Sequence, residues 1–239
     1  VLCYIVLILI TFLCLFSFYV LIINTTRSHP DIQKGFSFLP GKSFIVNMKN
    51  VLANENIPVI KGMFNSLFVA ACSAVLSVYF SALTAFAIHA YNFRLKKFAF
   101  TFILLVMMVP TQVSALGFVK MMGDWNLLNS YIPLIVPSVA APVVFFFIKQ
   151  YMKPALAVQM IFTFVSSWNN YFIPSLLINK ASKKTLPLLI AQLRSADFLK
   201  FDMGQVYMMI AFAIVPVIIV YICLSKFIVR GVTLGGVKG

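Results

Sequence analysis

The residues best suited to contact a polar solute form one short run inside an apolar segment. Its members are Ser166, Ser167, Trp168, Asn169, Asn170 and Tyr171. Amides and hydroxyls can hydrogen-bond solute hydroxyls, and aromatic rings can stack on an apolar ring face. Adjacent amides facing lipid would be costly, so two interpretations are open. Either they line a solute path, or they hydrogen-bond between packed helices.

Four other polar residues lie in apolar segments or at their edges: Asn65, Tyr79, Thr111 and Gln112. Each has a group that could line the same kind of path. Packing between helices is the favoured interpretation for all four.

Titratable groups are too few and too scattered for catalysis. The five acids all fall in predicted loops: Asp31, Glu55, Asp124, Asp197 and Asp202. His89, near the end of an apolar segment, is interpreted as an interfacial or packed residue. The four cysteines have no CxxC spacing and no neighbouring histidine. We therefore predict no catalytic residue and no metal site, and a proton relay at membrane depth is disfavoured.

The segment Gly35 to Ser43 reads GFSFLPGKS and partly matches a phosphate-binding loop. Five residues separate its glycines where the motif has four, and no apolar helix follows directly. We predict that this chain binds no nucleotide and carries no cofactor of its own.

The composition indicates a membrane protein. Hydrophobic residues make up 62% of the 239 residues, well above the roughly 45–50% of a soluble domain. Lys and Arg number 19 against 5 Asp and Glu, but these cations lie mainly in loops between apolar runs. They therefore indicate topology and lipid headgroup contact rather than nucleic-acid binding.

Six apolar runs are each long enough for a tilted helix in lipid. They are Val1 to Ile23, Met63 to Ala90, Phe98 to Met122, Tyr131 to Ile148, Pro154 to Ile178 and Met203 to Phe227. None has the alternation of barrel strands, so we predict an all-α integral membrane protein with six transmembrane helices. Residues 1–62 would form the first helix and an external loop, and 63–239 a core of five helices. Seven prolines are expected to bend or end these helices: Pro110, Pro133, Pro137, Pro142, Pro154, Pro174 and Pro216.

The short connection Tyr91 to Lys97 carries three cations, which predicts that it is cytoplasmic. Both chain termini would then be cytoplasmic too. The loop Asn179 to Asp202 is also basic and would be external, but longer loops cross membranes with less regard for charge.

Four segments in register resemble a known family: MMVPTQV (107–113), WNLLNSYIPLIVPSVAAP (125–142), KPALAVQMIFTFVSSWNNYFIPSLLI (153–178) and FIVRGVTLGGVKG (227–239). They are similar to the inner-membrane permease subunits of bacterial carbohydrate ABC importers, on the side of the maltose-type G subunit. The resemblance covers nearly the whole chain and implies the type I importer permease fold.

The resemblance also implies partners: a second, similar permease, two cytoplasmic ATPase subunits that hold ATP and Mg, and an external sugar-binding protein. The cytoplasmic EAA loop that docks such permeases onto the ATPase is missing near 151–154. Either a segment of the natural chain is absent from these 239 residues, which we favour, or the protein lacks it. The remaining candidates for ATPase coupling are Lys149, Gln150, Tyr151, Lys153, Arg230 and Lys238.

The sequence thus favours a permease subunit of an ATP-driven sugar importer in a bacterial cell membrane. A stand-alone carrier or channel is the alternative, and it would need an intramembrane ion site or an internal repeat. A membrane-embedded enzyme would need clustered His, Asp or Glu at a membrane surface. Neither set of features is found.

Overall fold

A computed structural model of the chain describes residues 2–151, 153–195 and 202–235, with backbone only at 150–155 and beyond 225. Its α-helices are α1 (Leu2–Thr25), α2 (His29–Gln33), α3 (Phe44–Leu52), α4 (Val59–Ala90), α5 (Lys96–Met107), α6 (Thr111–Asp124), α7 (Ile132–Ile135), α8 (Pro142–Tyr151), α9 (Lys153–Trp168), α10 (Phe172–Leu177), α11 (Leu186–Arg194) and α12 (Met203–Gly235). Two 3-10 turns lie at Val136–Val139 and Ala181–Lys183. The described residues contain no strand, which confirms the all-α prediction.

The chain divides into two compact units. The first comprises Val1–Ile60 and Leu189–Pro216, and the second comprises Lys61–Leu188 and Val217–Gly239. The return of Leu189–Pro216 to the first unit has no signal in the local sequence, because it depends on long-range contacts.

In the first unit, most of α1 carries exposed apolar side chains, as a lipid-facing helix does. Its end is held by Asn47 of α3, which is only 3% exposed. The Asn47 amide donates to the carbonyl oxygens of Thr25 and Arg27, at 2.9 Å each. A Cβ on Gly204 would lie 2.7 Å from Asn47 Oδ1, so only glycine lets the start of α12 pack here.

The predicted loop between the first two spans therefore has more structure than its composition indicates. It contains α2 and α3, and Arg27 is buried within it. Arg27 donates to Asn24 Oδ1 at 3.2 Å and to the carbonyl oxygen of Gly35 at 2.9 Å. These tertiary hydrogen bonds stabilise a polar sequence in a packed state.

The second unit is built on α4, whose buried face packs against α8. The shared cluster consists of Val78, Ala85, Ile88, Val144, Phe145 and Ile148. A second cluster joins α6, α10 and α11 through Met122, Leu177, Ile178 and Leu188. These apolar contacts fix the framework around the helix breaks described next.

Three pairs of segments in the second unit are broken at or near prolines. Helices α5 and α6 meet at 94° around Pro110. The 3-10 turn that contains Pro137 separates α7 from α8, which begins at Pro142. Helix α9 stops at Trp168. If the helix continued into α10, Pro174 would have no N–H to donate to the Asn170 carbonyl oxygen, and its ring would clash with that oxygen. The bends expected from the prolines at 110, 137, 142 and 174 are thus confirmed.

Four described helical segments are long and apolar enough to cross a membrane: α1, α4, the segment Ile132–Lys149 that runs from α7 into α8, and Met203–Ser225 of α12. The bent pair α5–α6 would make a fifth. The predicted span 154–178 is divided into α9 and α10, and its apolar helix, Leu156–Trp168, is shorter than the others. A multi-pass membrane protein is therefore supported, and the count of six spans stays a prediction.

Candidate functional site

A cavity of about 500 Å³ lies in the second unit, where the three breaks bring irregular backbone together. It is lined by α6 from Thr111 to Met121, by α7 and the 3-10 turn after it, and by residues at the α9–α10 break. Cavities of roughly 300–1,000 Å³ are typical of small-molecule sites. The apolar part of the lining includes Phe118, Met121, Pro133, Leu134, Pro137 and Ile173.

Three polar residues line this cavity: Thr111, Ser114 and Asn170. Ser114 Oγ donates to the carbonyl oxygen of Thr111 at 3.2 Å, which leaves its oxygen free to accept. The side-chain amide of Asn170 is exposed and, within the described part of the chain, has no hydrogen-bond partner. Asn170 therefore offers two donors and an acceptor to a ligand.

The neighbours of Asn170 in the predicted run lie in different environments. Trp168 is 2% exposed and stacks on Phe164, with ring centroids 5.9 Å apart. Asn169 and Tyr171 are exposed but are not among the cavity residues. The structure thus brings only Asn170 of this run to the cavity.

Asn65 lies in a separate network at the start of α4. Its amide donates to the carbonyl oxygens of Ser182 and Lys184, at 3.2 and 2.9 Å. Nearby, the hydroxyl oxygen of Ser66 accepts a hydrogen bond from the Leu186 amide at 2.8 Å. These contacts secure the 179–185 loop, so packing accounts for the Asn65 side chain.

Of the other weaker candidates, only Thr111 reaches the cavity. Gln112 is exposed beside it, and the Thr111 hydroxyl lies 3.4 Å from Gln112 Oε1. Tyr79 is exposed and packs edge-on against Phe80 at 5.3 Å. Phe80 lines a second cavity of about 300 Å³, between α4, α5 and α8, that includes none of the predicted path residues.

Four of the six predicted ATPase-coupling residues lie at the junction of α8 and α9. Lys149 is partly buried, with Nζ 3.5 Å from the ring centroid of Phe100, a cation–π geometry. Only the backbone is described for Gln150, Tyr151 and Lys153, which end α8 and begin α9. Arg230 lies in the C-terminal part of α12, and Lys238 is outside the described residues.

Two residues of functional interest carry weak sequence signals. Ser114 follows Thr111 by three positions, which places both on one face of α6 once that helix is known to begin at Thr111. Asn129 has a φ of 58°, and its side-chain oxygen accepts from the amides of Asn179 and Lys180 at 2.6 and 2.8 Å. An asparagine in a turn is common, so neither residue stands out in the sequence alone.

Comparison with known proteins identifies relatives over nearly the full chain. The arabinooligosaccharides transport system permease protein AraQ of Bacillus subtilis (strain 168) is 27% identical, covering 97% of this chain and 93% of that protein. The lactose transport system permease protein LacG of Rhizobium radiobacter is 25% identical, with 98% and 95% covered. The sn-glycerol-3-phosphate transport system permease protein UgpE of Yersinia pestis is 24% identical, with 96% and 94% covered.

No family model matches the chain. The alignment with AraQ extends over 266 positions although this chain has 239 residues, so that relative has positions with no counterpart here. Among solved structures, a bacterial ABC transporter involved in the import of the acidic polysaccharide alginate matches with a TM-score of 0.79 at 18% identity, covering 94% of each chain. That likeness shows the fold. The relatives and the fold together confirm the predicted resemblance to permease subunits of ABC importers, and the relatives are named as transport permeases, not as enzymes.

Proposed function

We propose that this chain forms one half of the translocation path of an ATP-driven saccharide importer in a bacterial cytoplasmic membrane. The observation that carries this assignment is the cavity at the helix breaks, where Thr111, Ser114 and Asn170 face apolar residues. That combination suits a solute with hydroxyls and apolar ring faces. Two relatives are named for transport of arabinooligosaccharides and lactose, which supports a saccharide.

The proposed assembly contains a second permease, two cytoplasmic ATPase subunits and an external solute-binding protein. The second permease would complete the cavity, which is partly open in this chain. ATP and Mg would be held by the ATPase subunits. Both termini of the permease would lie in the cytoplasm, with the α8–α9 junction facing the ATPase.

The charge of the solute is not settled by the relatives. Arabinooligosaccharides and lactose are neutral, whereas sn-glycerol-3-phosphate and alginate, named for other similar proteins, are anionic. The chemistry of the cavity in this chain is therefore the better guide to the solute it accepts.

The assignment can be tested by reconstituting the complete importer in vesicles and measuring uptake of radiolabelled lactose and short arabinooligosaccharides. We expect concentrative uptake only when ATP, the ATPase subunits and the binding protein are present. This chain alone in the same vesicles is the control and should give none. Concentrative uptake by the chain alone would overturn the proposal in favour of a stand-alone carrier.

A further inference from the structure

The described lining of the cavity in the second unit is uncharged. None of the eleven described residues that line it is Asp, Glu, Lys, Arg or His. This is notable in a chain with 19 Lys and Arg, because a site for phosphate or carboxylate normally presents at least one cation to pair with it.

A neutral saccharide matches the groups that are present. The Asn170 amide can donate and accept, and the hydroxyl oxygens of Thr111 and Ser114 can accept from sugar hydroxyls. Phe118 and the proline rings offer an apolar surface for the C–H face of a pyranose or furanose ring. Each of these contacts is available to an uncharged ring without removing an ion from water.

Binding of an anionic saccharide to the same cavity is less favourable. Its carboxylate or phosphate would exchange water for apolar side chains and a few neutral dipoles, which is unfavourable in the absence of a paired cation. On these grounds we expect binding of a uronate to this half of the path to be roughly 100-fold weaker than binding of the matched neutral sugar.

We therefore propose that this cavity selects uncharged saccharides over their carboxylated or phosphorylated counterparts. The inference rests on the proposed function, since it takes the cavity as part of the solute path. It adds a specificity that the relatives leave open, and it assigns that specificity to Thr111, Ser114 and Asn170.

The test uses the complete importer, without its binding protein, so that only the path is sampled. A single cysteine is introduced as Gly117→Cys, with the four native cysteines replaced, and its labelling by N-ethylmaleimide is timed. Gly117 lines the cavity, has no side chain that binds sugar, and has room for a Cβ. The probes are a neutral arabino- or galacto-oligosaccharide and a uronic-acid oligosaccharide of equal length. Leu116→Cys is the matched control, because it is adjacent and exposed but does not line the cavity.

At ten times the dissociation constant, the neutral sugar should slow labelling at Gly117→Cys about tenfold and leave Leu116→Cys unchanged. The uronate at the same concentration should protect neither position. Equal protection by both sugars at Gly117→Cys would overturn the selectivity and leave the solute path intact. Protection by neither sugar would contradict the path itself, and with it the selectivity.

A gain-of-charge variant supplies an independent readout. Ser114→Lys, made in the Gly117→Cys background, places a cation on the exposed first half of α6 and leaves Asn170 in place. We expect the uronate now to protect Gly117→Cys, with its affinity raised at least about tenfold by the new ion pair. No change in uronate protection, with the neutral sugar still protecting, would show that lining charge does not set the preference.

Discussion

The end of α9 and the break that follows it are adjacent in sequence and opposite in environment. Trp168, the last residue of the helix, is buried against Phe164. Asn170 lies exposed at the cavity, and its side-chain amide has no hydrogen-bond partner among the described residues. A single residue separates a core position from a candidate solute contact. A run of residues suited to sugar binding therefore divides into structural members and a candidate functional member at the point where the helix stops.

The helix stops there for a reason that can be read from the chain. Pro174 has no backbone N–H to donate to the Asn170 carbonyl oxygen, so α9 cannot continue into α10 as a regular helix. The break leaves Asn170 exposed at the cavity, two positions after the buried Trp168. The same logic applies at Pro110, where the bend between α5 and α6 opens the other side of the cavity.

The largest expected difference in stability is between alanine substitutions of the two tryptophans. Trp168→Ala should lower the free energy of unfolding by about 3–5 kcal/mol, because it removes a large buried ring and leaves a void. Trp125→Ala, at a position 61% exposed, should change it by less than about 0.5 kcal/mol. Denaturant unfolding of the detergent-solubilised importer measures both.

Equal effects of the two tryptophan substitutions would contradict the assignment of Trp168 to the core. If Trp168→Ala left the stability unchanged and abolished uptake, Trp168 would be a residue of the solute path, as the sequence first indicated.

An intermediate effect is expected at Asn129, an amide whose bonds are all made within the protein. Asn129→Ala removes the acceptor for two loop amides and leaves a non-glycine residue at positive φ. The expected cost is about 1–3 kcal/mol. Faster hydrogen exchange of the Asn179 and Lys180 amides would report the loosened loop.

Asn129→Asp is the matched control, because a carboxylate keeps the acceptor and tolerates the left-handed backbone conformation. Exchange at Asn179 and Lys180 should stay slow in that variant. Fast exchange in both variants would show that the side-chain oxygen does not hold the loop.

The smallest effect distinguishes two buried serines of α4. Ser66→Ala removes the acceptor for the Leu186 amide and should cost about 1 kcal/mol. Ser77 is fully buried, and its hydroxyl has no hydrogen-bond partner among the described residues. Ser77→Ala should therefore be neutral or slightly stabilising in the same unfolding measurement. A larger loss at Ser77 than at Ser66 would point to a partner for Ser77 in the assembled importer.

The helical architecture is predictable from the sequence because lipid demands long apolar segments with internally paired backbones. The ends of α4 and the breaks near Pro110 and Pro174 follow from apolar length and proline chemistry. The helices α2 and α3 were not predictable in this way, since they are short and depend on Asn47 and Arg27 contacts between distant residues.

The candidate site was only partly predictable for a related reason. The sequence identifies Asn170 as polar within an apolar run, but it cannot tell Asn170 from Asn169 or Trp168 without knowing where α9 ends. Ser114 was not predicted, because a single serine in a helix gives no sequence signal and only the fold shows that it lines a cavity.

The most direct test of the account compares Asn170→Leu with Asn169→Leu in the complete importer, with ATP-dependent uptake of the transported saccharide as the readout. The loss of one set of hydrogen bonds predicts roughly tenfold lower uptake for Asn170→Leu at subsaturating solute. Asn169→Leu should transport at the unmodified rate, and both variants should assemble with the ATPase subunits. Unimpaired uptake by Asn170→Leu, or equal impairment of the two variants, would contradict a solute path at this cavity.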